Sequence, residues 1–304
     1  MKQTKFFPAR VKMFSAMLVF LFILTLNSCQ KKETTDLRQK EEFTLYEALK
    51  VSEENIGGSH NNNGAEVCAG IHYTYEGVEG PEHWADLCEA WATCSEGQAQ
   101  SPVAINNVVN DKTLMPLNFQ WGSTTANIVN NGHTIQFNID EGSKLIANGK
   151  SYNLLQFHYH HSSEHTIKDK SYPLEVHYVH KAADGQLAVV GVMFKEGAPN
   201  SLFNMFLENF PAPMTTYSSP VSINLSSLLP KNLRYYNYQG SLTTPACSES
   251  VNWHIVKGTV TASKEQIEAL KHILHNNNRP LQPLNGRTVR MSIGGGNDSD
   301  DAGE

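Results

Sequence analysis

The chain of 304 residues is long for one average domain and short for three, so we expect one large domain or two small ones. Hydrophobic residues make up 40% and charged residues 18%, a composition that excludes a wholly disordered chain. The net charge of -6 argues against a nucleic-acid partner, because proteins that bind nucleic acids usually carry a basic patch.

The N-terminus has the pattern of a signal peptide. Four basic residues precede an uncharged apolar run, residues 13–26, which is too short to span a bilayer comfortably. The run leads into Leu26-Asn27-Ser28-Cys29, which resembles the lipobox of bacterial lipoproteins, although Asn27 is unusual there. We therefore predict a signal peptide over residues 1–28 and a lipid anchor on Cys29. The alternative is an ordinary secretory signal with an incidental cysteine.

Two segments of the mature chain have too few apolar residues to build a core. Residues 29–64 read as a flexible tether and residues 294–304 as a disordered acidic tail, which leaves one folded block over residues 65–293. Removal of residues 1–28 leaves 20 basic and 30 acidic residues, a net charge of -10. Membrane contact would therefore come only from the lipid, on a bacterial cell envelope and facing the periplasm or the exterior.

Four cysteines remain once Cys29 is assigned to the lipid: Cys68, Cys88, Cys94 and Cys247. An even number in an exported chain predicts disulfides, and four cysteines allow three pairings. None of them lies in a CxxC arrangement, which argues against a structural zinc knuckle.

The folded block has the alternation of β-strands in most places. Turn signals such as Asn131-Gly132 separate many of the segments, and a helical pattern is confined to residues 201–209 and 263–275. The block is therefore predicted to be mostly β, with a broad sheet and short peripheral helices. The predicted strands are residues 127–129, 134–139, 154–160, 174–180, 187–194 and 250–256.

Histidines concentrate in two neighbouring predicted strands. His158 and His160 are two residues apart and so share a face, and His177 follows on the next strand after a turn at residues 168–173. Three converging imidazoles leave a fourth tetrahedral position free, which is typical of catalytic Zn²⁺. Gln156 and Glu175 precede a histidine by two residues and can hold its other ring nitrogen. The alternative is a set of half-buried structural histidines.

A series of motifs runs through the folded block. Gln156-Phe-His-Tyr-His160, Ser163-Glu-His165 and Glu175-Val-His-Tyr-Val-His180 resemble the metal-site block of alpha-class carbonic anhydrases, in their shorter bacterial form. Tyr238-Gln-Gly-Ser-Leu-Thr-Thr-Pro245 resembles the active-site loop of that family, and Val251-Asn-Trp253 its next strand. The resemblance runs from about residue 71 to 291 and includes Gly80-Pro-Glu-His-Trp84, Gln100-Ser-Pro-Val103, Asn130-Asn-Gly-His133 and Asn278-Arg-Pro-Leu-Gln-Pro-Leu-Asn285.

The resemblance implies a single domain on a large, mainly antiparallel central sheet and reversible hydration of carbon dioxide to bicarbonate and a proton. Zinc-bound hydroxide would be the nucleophile, with His158, His160 and His177 as ligands and Gln156 and Glu175 as their partners. Thr243 would accept a hydrogen bond from the hydroxide and donate one to Glu164. His133 would shuttle the proton, because an imidazole titrates near neutrality.

The resemblance also assigns residues around this centre. A polar wall beside His133 would comprise Tyr75, Asn131 and Gln136. Thr244 would line the cavity, and the carbon dioxide pocket would comprise Val179, Val189, Leu242, Val251 and Trp253. It implies a Cys94–Cys247 disulfide and, with it, a Cys68–Cys88 pair. His161, His165 and His180 are interpreted as structural.

Several alternatives stay open. His133 would be only a residue after a tight turn, Glu164 and Thr243 only a structural pair, and the pocket residues only core. A non-catalytic binding or adhesion module would use the same scaffold, although relatives of that kind typically lack a ligand histidine and this chain has all three. An exported zinc hydrolase for esters would share the nucleophile. Homodimerisation is a further open alternative.

Overall fold

The computed structural model describes residue 68 and residues 70–207 and 209–293. They belong to one compact unit, Ser52–Glu304. The predicted signal peptide, Cys29, the tether up to residue 64 and the acidic tail lie outside these described residues. Within the described part of the chain, no helix has both the length and the apolar character needed to cross a membrane.

One large sheet dominates the described residues. Twelve strands join it, in the order β11-β4-β5-β7-β9-β10-β13-β12-β14-β2, with β6 bridging β3 to β7. Only β10–β13 and β14–β2 pair in parallel within it, so the predicted mainly antiparallel sheet is confirmed. The strands are β1 Ala104–Ile105, β2 Val108–Asp111, β3 Asn118–Gln120, β4 Ser123–Asn130, β5 Ile135–Ile139, β6 Lys144–Ala147, β7 Lys150–His160, β8 Thr166–Ile167, β9 Leu174–Lys181, β10 Leu187–Glu196, β11 Thr215–Asn224, β12 Tyr235–Gly240, β13 Val251–Ala262 and β14 Val289–Ser292.

The helices are short and peripheral, as predicted. The longest among the described residues is Lys264–Leu274, whose first turn is closed by a capping box between Ser263 and Gln266. Ser201–Phe206 begins at Asn200, whose side chain accepts the N–H of Leu202. The remaining helical turns are Trp84–Leu87, Thr93–Glu96, and the 3-10 turns Gly77–Glu79, Glu89–Trp91 and Leu225–Leu228.

The central strands are buried on both faces, and each face belongs to a different cluster. On β9, Val176 and Tyr178 point into the larger hydrophobic core, while Val179 belongs to a second cluster together with Trp253. Because side chains alternate along a strand, His177 shares the face of Val179. The smaller cluster therefore lies directly beside the predicted ligands.

Two disulfides fasten the N-terminal part of the described chain. Cys94 pairs with Cys247, 153 residues away, and Cys68 pairs with Cys88. Both implied pairings are confirmed, and the four cysteines form one buried cluster with two tryptophans. Structural disulfides indicate folding in an oxidising compartment, and so an extracellular or periplasmic protein.

Candidate metal centre

Three histidines converge from two neighbouring strands. The register of β7 and β9 places His158 directly opposite His177, and His160 follows two residues later on the same face of β7. One ring nitrogen from each residue lies within 4.8 Å of the other two. The structure therefore brings together the three residues that the sequence spacing selected.

In each β7 histidine, Nδ1 contacts a hydrogen-bond acceptor, which leaves Nε2 available as a metal ligand. Nδ1 of His158 lies 2.8 Å from Oε1 of Gln156, and Nδ1 of His160 lies 2.7 Å from the carbonyl oxygen of Asn277. A carbonyl oxygen accepts only, so the ring proton of His160 is on Nδ1 and its Nε2 carries a lone pair. That Nε2 atom is buried and has no hydrogen-bond partner among the described residues.

His177 is oriented in the opposite sense by a carboxylate. Its Nε2 lies 2.8 Å from Oε1 of Glu175, which leaves Nδ1 for the shared point. The same Oε1 accepts Nδ1–H of His165 at 2.8 Å, and Oε2 accepts the backbone N–H groups of Glu164 and His165, both at 2.9 Å. Glu175 is completely buried and accepts four hydrogen bonds. Nε2 of His165 lies 2.6 Å from the Tyr238 hydroxyl, in agreement with a structural histidine.

The protonation of this group suits metal binding. Burial lowers the pKa of His158 and of His160, so both rings are neutral at pH 7 and available as ligands. Burial also lowers the pKa of His177, but the carboxylate of Glu175 outweighs it and the net shift is upward. For Glu175, burial raises the pKa, and the two neighbouring imidazoles more than offset it, so the carboxyl is ionised. An Nε2–H held by a carboxylate makes Nδ1 a more basic ligand.

A second carboxylate faces the free ring nitrogens. Oε1 of Glu164 accepts the backbone N–H of Arg279 at 2.9 Å. Oε2 is buried without a hydrogen-bond partner in the described part of the chain, 3.6 Å from Nε2 of His160 and 3.9 Å from Nδ1 of His177. Thr243 is also buried, and no hydrogen bond joins its hydroxyl to Glu164 among the described residues. The orienting role that the resemblance gives Thr243 stays a prediction.

The predicted apolar pocket is one contiguous patch beside His177. Val189 pairs with Val179 across β9–β10 and with Trp253 across β10–β13. Val251 and the partly buried Leu242 pack in the same cluster. The rings of His177 and Trp253 are 4.8 Å apart, so the patch adjoins the metal ligands. Thr244 is half-buried in the loop before Cys247.

His133 stacks on an aromatic side chain. Its ring stacks on Tyr73, with centroids 4.0 Å apart and planes within 4°. Burial, with a smaller contribution from His72, lowers its pKa to about 4, below the value near neutrality on which the shuttle expectation rests. Its backbone N–H donates to Oδ1 of Asn131 at 3.0 Å, as in a tight turn. Tyr75 hydrogen-bonds Tyr73.

Gln136 lies opposite one of the predicted metal ligands. It pairs in register with His158 across β5–β7 and donates from Nε2 to Oδ1 of Asn138 at 2.6 Å. The side-chain contact that the structure gives Gln136 is thus with its own strand, and its place in the predicted polar wall stays a prediction.

Comparisons with known proteins agree with this geometry. Residues 79–293 match the family model described as eukaryotic-type carbonic anhydrase. A carbonic anhydrase of Pectobacterium atrosepticum is 42% identical over 223 residues, which cover 72% of this chain and 90% of that protein. The chain belongs to the alpha-type carbonic anhydrase family.

A solved structure and a more distant plant protein are also similar to this chain. The alpha-carbonic anhydrase of Thermovibrio ammonificans, solved with the inhibitor sulfanilamide, is 41% identical with a TM-score of 0.71, covering 73% of this chain and 99% of that one. Dioscorin dioA3 of Dioscorea japonica is 35% identical over 222 residues, covering 69% of this chain and 81% of that protein.

Alpha carbonic anhydrases are zinc enzymes, and the donor set of this member fits Zn²⁺. It consists of three imidazole nitrogens with tautomers fixed by Gln156, Asn277 and Glu175. One of them, Nε2 of His160, is buried and has no hydrogen-bond partner among the residues described. Three such ligands with a free fourth position are the pattern of catalytic zinc.

Two residues of this carbonic anhydrase site were missed in the sequence. The carbonyl oxygen of Asn277 accepts from His160, and its Nδ2 donates to the carbonyl oxygens of His133 and Tyr159. Asn277 therefore links the backbone at His133 to β7. Arg279 holds Glu164 through its backbone N–H. Arg279 lies in the motif of residues 278–285 that carries the resemblance, and Asn277 directly precedes it, but the motif does not indicate which atoms are used.

Proposed function

We propose that this chain hydrates carbon dioxide reversibly to bicarbonate and a proton, with Zn²⁺ held by Nε2 of His158, Nε2 of His160 and Nδ1 of His177. The convergence of these three lone pairs, each fixed by a hydrogen bond at the opposite ring nitrogen, is the observation that carries the proposal. When bound, zinc supplies a nucleophile at neutral pH by lowering the pKa of its water to about 7, the established value for carbonic anhydrase.

The apolar patch receives the substrate. Carbon dioxide has no net charge, so a niche formed by Val179, Val189, Val251 and Trp253 desolvates it at no polar cost. Leu242 packs against the same residues and belongs to this niche, and Thr244 lines the cavity. A charged bicarbonate product is poorly matched to the same walls, which favours its release.

Glu164 and Thr243 orient the attacking group. Glu164 Oε2 is a buried acceptor with no donor among the described residues, and the hydroxyl of Thr243 is the donor that we assign to it. A threonine that donates its only proton to a carboxylate can act toward the nucleophile solely as an acceptor. It therefore accepts a hydrogen bond from the nucleophile, whose own lone pair then faces the carbon.

Proton export uses His133 and the polar wall. His133 accepts the proton that each turnover releases, and Tyr75, Asn131 and Gln136 supply polar atoms along the way.

We further propose that residues 1–28 are removed and that acylated Cys29 anchors the enzyme to a bacterial cell envelope through the tether. The two disulfides support export, and Leu26-Asn27-Ser28-Cys29 supports the lipid. Mass spectrometry of the native N-terminus tests this, because an unmodified Cys29 would contradict the lipid anchor.

Stopped-flow carbon dioxide hydration combined with elemental analysis tests the catalytic proposal. His177→Ala should lose zinc and nearly all activity, while His272→Ala, an exposed histidine on the last helix, should keep both. His133→Ala should keep zinc and turn over more slowly, with partial rescue by imidazole buffer. A wild-type protein that binds no zinc, or activity that survives in His177→Ala, would contradict the proposal.

The same preparation separates the alternatives. Ester turnover that exceeds hydration would favour an exported hydrolase, and a zinc-loaded protein with neither activity would favour a binding module. Turnover that persists with a chelator after zinc has been removed would defeat both enzymatic interpretations.

A further inference from the structure

An exposed second histidine lies against the shuttle residue. The ring centroids of His72 and His133 are 5.5 Å apart, with an angle of 35° between their planes. Tyr73 covers a face of His133 at 4.0 Å. The ring of His133 thus has Tyr73 stacked on one face and the solvent-exposed imidazole of His72 beside it.

The two rings differ in their surroundings. Burial lowers the pKa of His133 to about 4, so its imidazolium is disfavoured at neutral pH. The side chain of His72 is 67% exposed, and its Nδ1 lies 3.4 Å from Oε2 of Glu79. A carboxylate therefore lies beside the exposed imidazole of His72. The titratable side chains known to face the pair are Tyr73 beside His133 and Glu79 beside His72.

The backbone holds His72 and Glu79 together. The N–H of Thr74 donates to the carbonyl oxygen of Glu79 at 2.9 Å and closes the intervening loop. The indole N–H of Trp84 donates to the carbonyl oxygen of Thr74 at 2.9 Å, which ties this loop to the buried cluster behind it. The position of the carboxylate opposite His72 is thus built into the fold.

We propose that His72 is the outer residue of a two-histidine proton exit, receiving the proton from His133 and delivering it to buffer. This proposal rests on the proposed hydration activity. The His133 imidazolium gives up a ring proton, a ring nitrogen of neutral His72 takes it directly or through one water, and the His72 imidazolium then loses a proton to a buffer base. Both rings end neutral, and no other reactant is consumed.

The exit predicts a specific kinetic signature. Proton transfer to buffer follows the hydration step, so its loss lowers kcat in weak buffer and leaves kcat/KM unchanged. His72→Gln removes the proton carrier, and His72→Phe also removes it but keeps an aromatic ring against His133. Both variants should show a kcat about three- to tenfold lower in weak buffer. This is smaller than the typical contribution of a general acid or base, because His133 remains in place. Added imidazole should restore both.

His83→Gln is the matched control. His83 is also exposed and also faces a carboxylate, Asp86, at 3.6 Å, but it makes no ring contact with His133 among the described residues. It should behave as wild type. A wild-type kcat for His72→Phe in weak buffer would overturn the proposal in favour of ring packing, and an equal fall in kcat and kcat/KM would overturn it in favour of a structural effect. An inactive wild type would instead refute the proposed function.

Discussion

Glu175→Gln should damage the metal site even though the side chain keeps its shape. The carboxylate accepts two imidazole N–H groups on Oε1 and two backbone N–H groups on Oε2, and it is completely buried. A glutamine must present its NH₂ group to one of these donor pairs. If the NH₂ group faces the backbone, it meets the N–H groups of Glu164 and His165, which are also donors. If it faces the rings, His177 has to accept at Nε2 and carry its proton on Nδ1, the atom assigned to zinc.

The expected cost can be stated as a zinc affinity. Loss of a partner that orients a ligand typically costs about 10- to 100-fold in metal affinity. This corresponds to about 1.4–2.8 kcal/mol. The zinc-free variant should also lose about 1–3 kcal/mol of unfolding free energy, because at least one buried donor is left without an acceptor.

Chelator competition measures the zinc Kd, and urea unfolding of the zinc-free protein measures the stability. Glu196→Gln is the control, since Glu196 is exposed on the neighbouring strand β10 and the same substitution there touches no ligand. If Glu175→Gln bound zinc within twofold of wild type, the argument that this carboxylate fixes the tautomer of His177 would be wrong.

Three further changes test other parts of the structure. Burial lowers the pKa of His254 from 6.5 to about 4, so between those values the unfolded chain binds a proton that the folded chain does not, and stability falls as the pH falls. His254→Leu should flatten this dependence by up to about 1.4 kcal/mol per pH unit in urea unfolding, and an unchanged slope would refute it. Replacing both Cys94 and Cys247 by serine should cost roughly 2–5 kcal/mol in calorimetry, whereas an unchanged Tm would show that the bridge is not stabilising. A Cβ on Gly191 would lie 2.8 Å from Oε1 of Glu175, so Gly191→Val should lower the zinc content, and full zinc occupancy would contradict this contact.

The parts of the fold that sequence alone could predict are the strands with a buried alternating face. All six predicted strands are present, and His158, His160 and His177 follow from period-two alternation plus the adjacency of β7 and β9. The register that puts His158 opposite His177 depends on cross-strand pairing, which local pattern does not contain.

The strands that were missed lack that alternation. β11 is an edge strand, exposed at most positions, and includes Pro220 among serines and threonines, so it has no apolar periodicity to detect. β12 is buried at nearly every position but has asparagine and glutamine among its tyrosines. Its burial comes from β13 and β14 on its two sides, which are distant in sequence.

The site divides in the same way. Gln156 and Glu175 each hold a histidine two residues later, so spacing on one strand was enough to predict them. Asn277 reaches His160 from 117 residues away, through a backbone carbonyl oxygen that any residue type could supply. No pattern of side chains in the sequence reports such a contact, and only the fold identifies it.

The two buried carboxylates show how hydrogen bonding, rather than residue type, assigns their different tasks. Each carboxylate oxygen of Glu175 accepts two hydrogen bonds from the protein, so this group is fixed in place and orients His177. Glu164 has one oxygen held by the Arg279 backbone, and the other has no donor in the part of the chain that the structure describes and lies 3.6 Å from Nε2 of His160. A group with an unused acceptor in that position can respond to the nucleophile and substrate, whereas a saturated one cannot. For this reason, loss of the carboxylate of Glu175 is expected to weaken metal binding first, and loss of that of Glu164 to slow the reaction on a metal that is still bound.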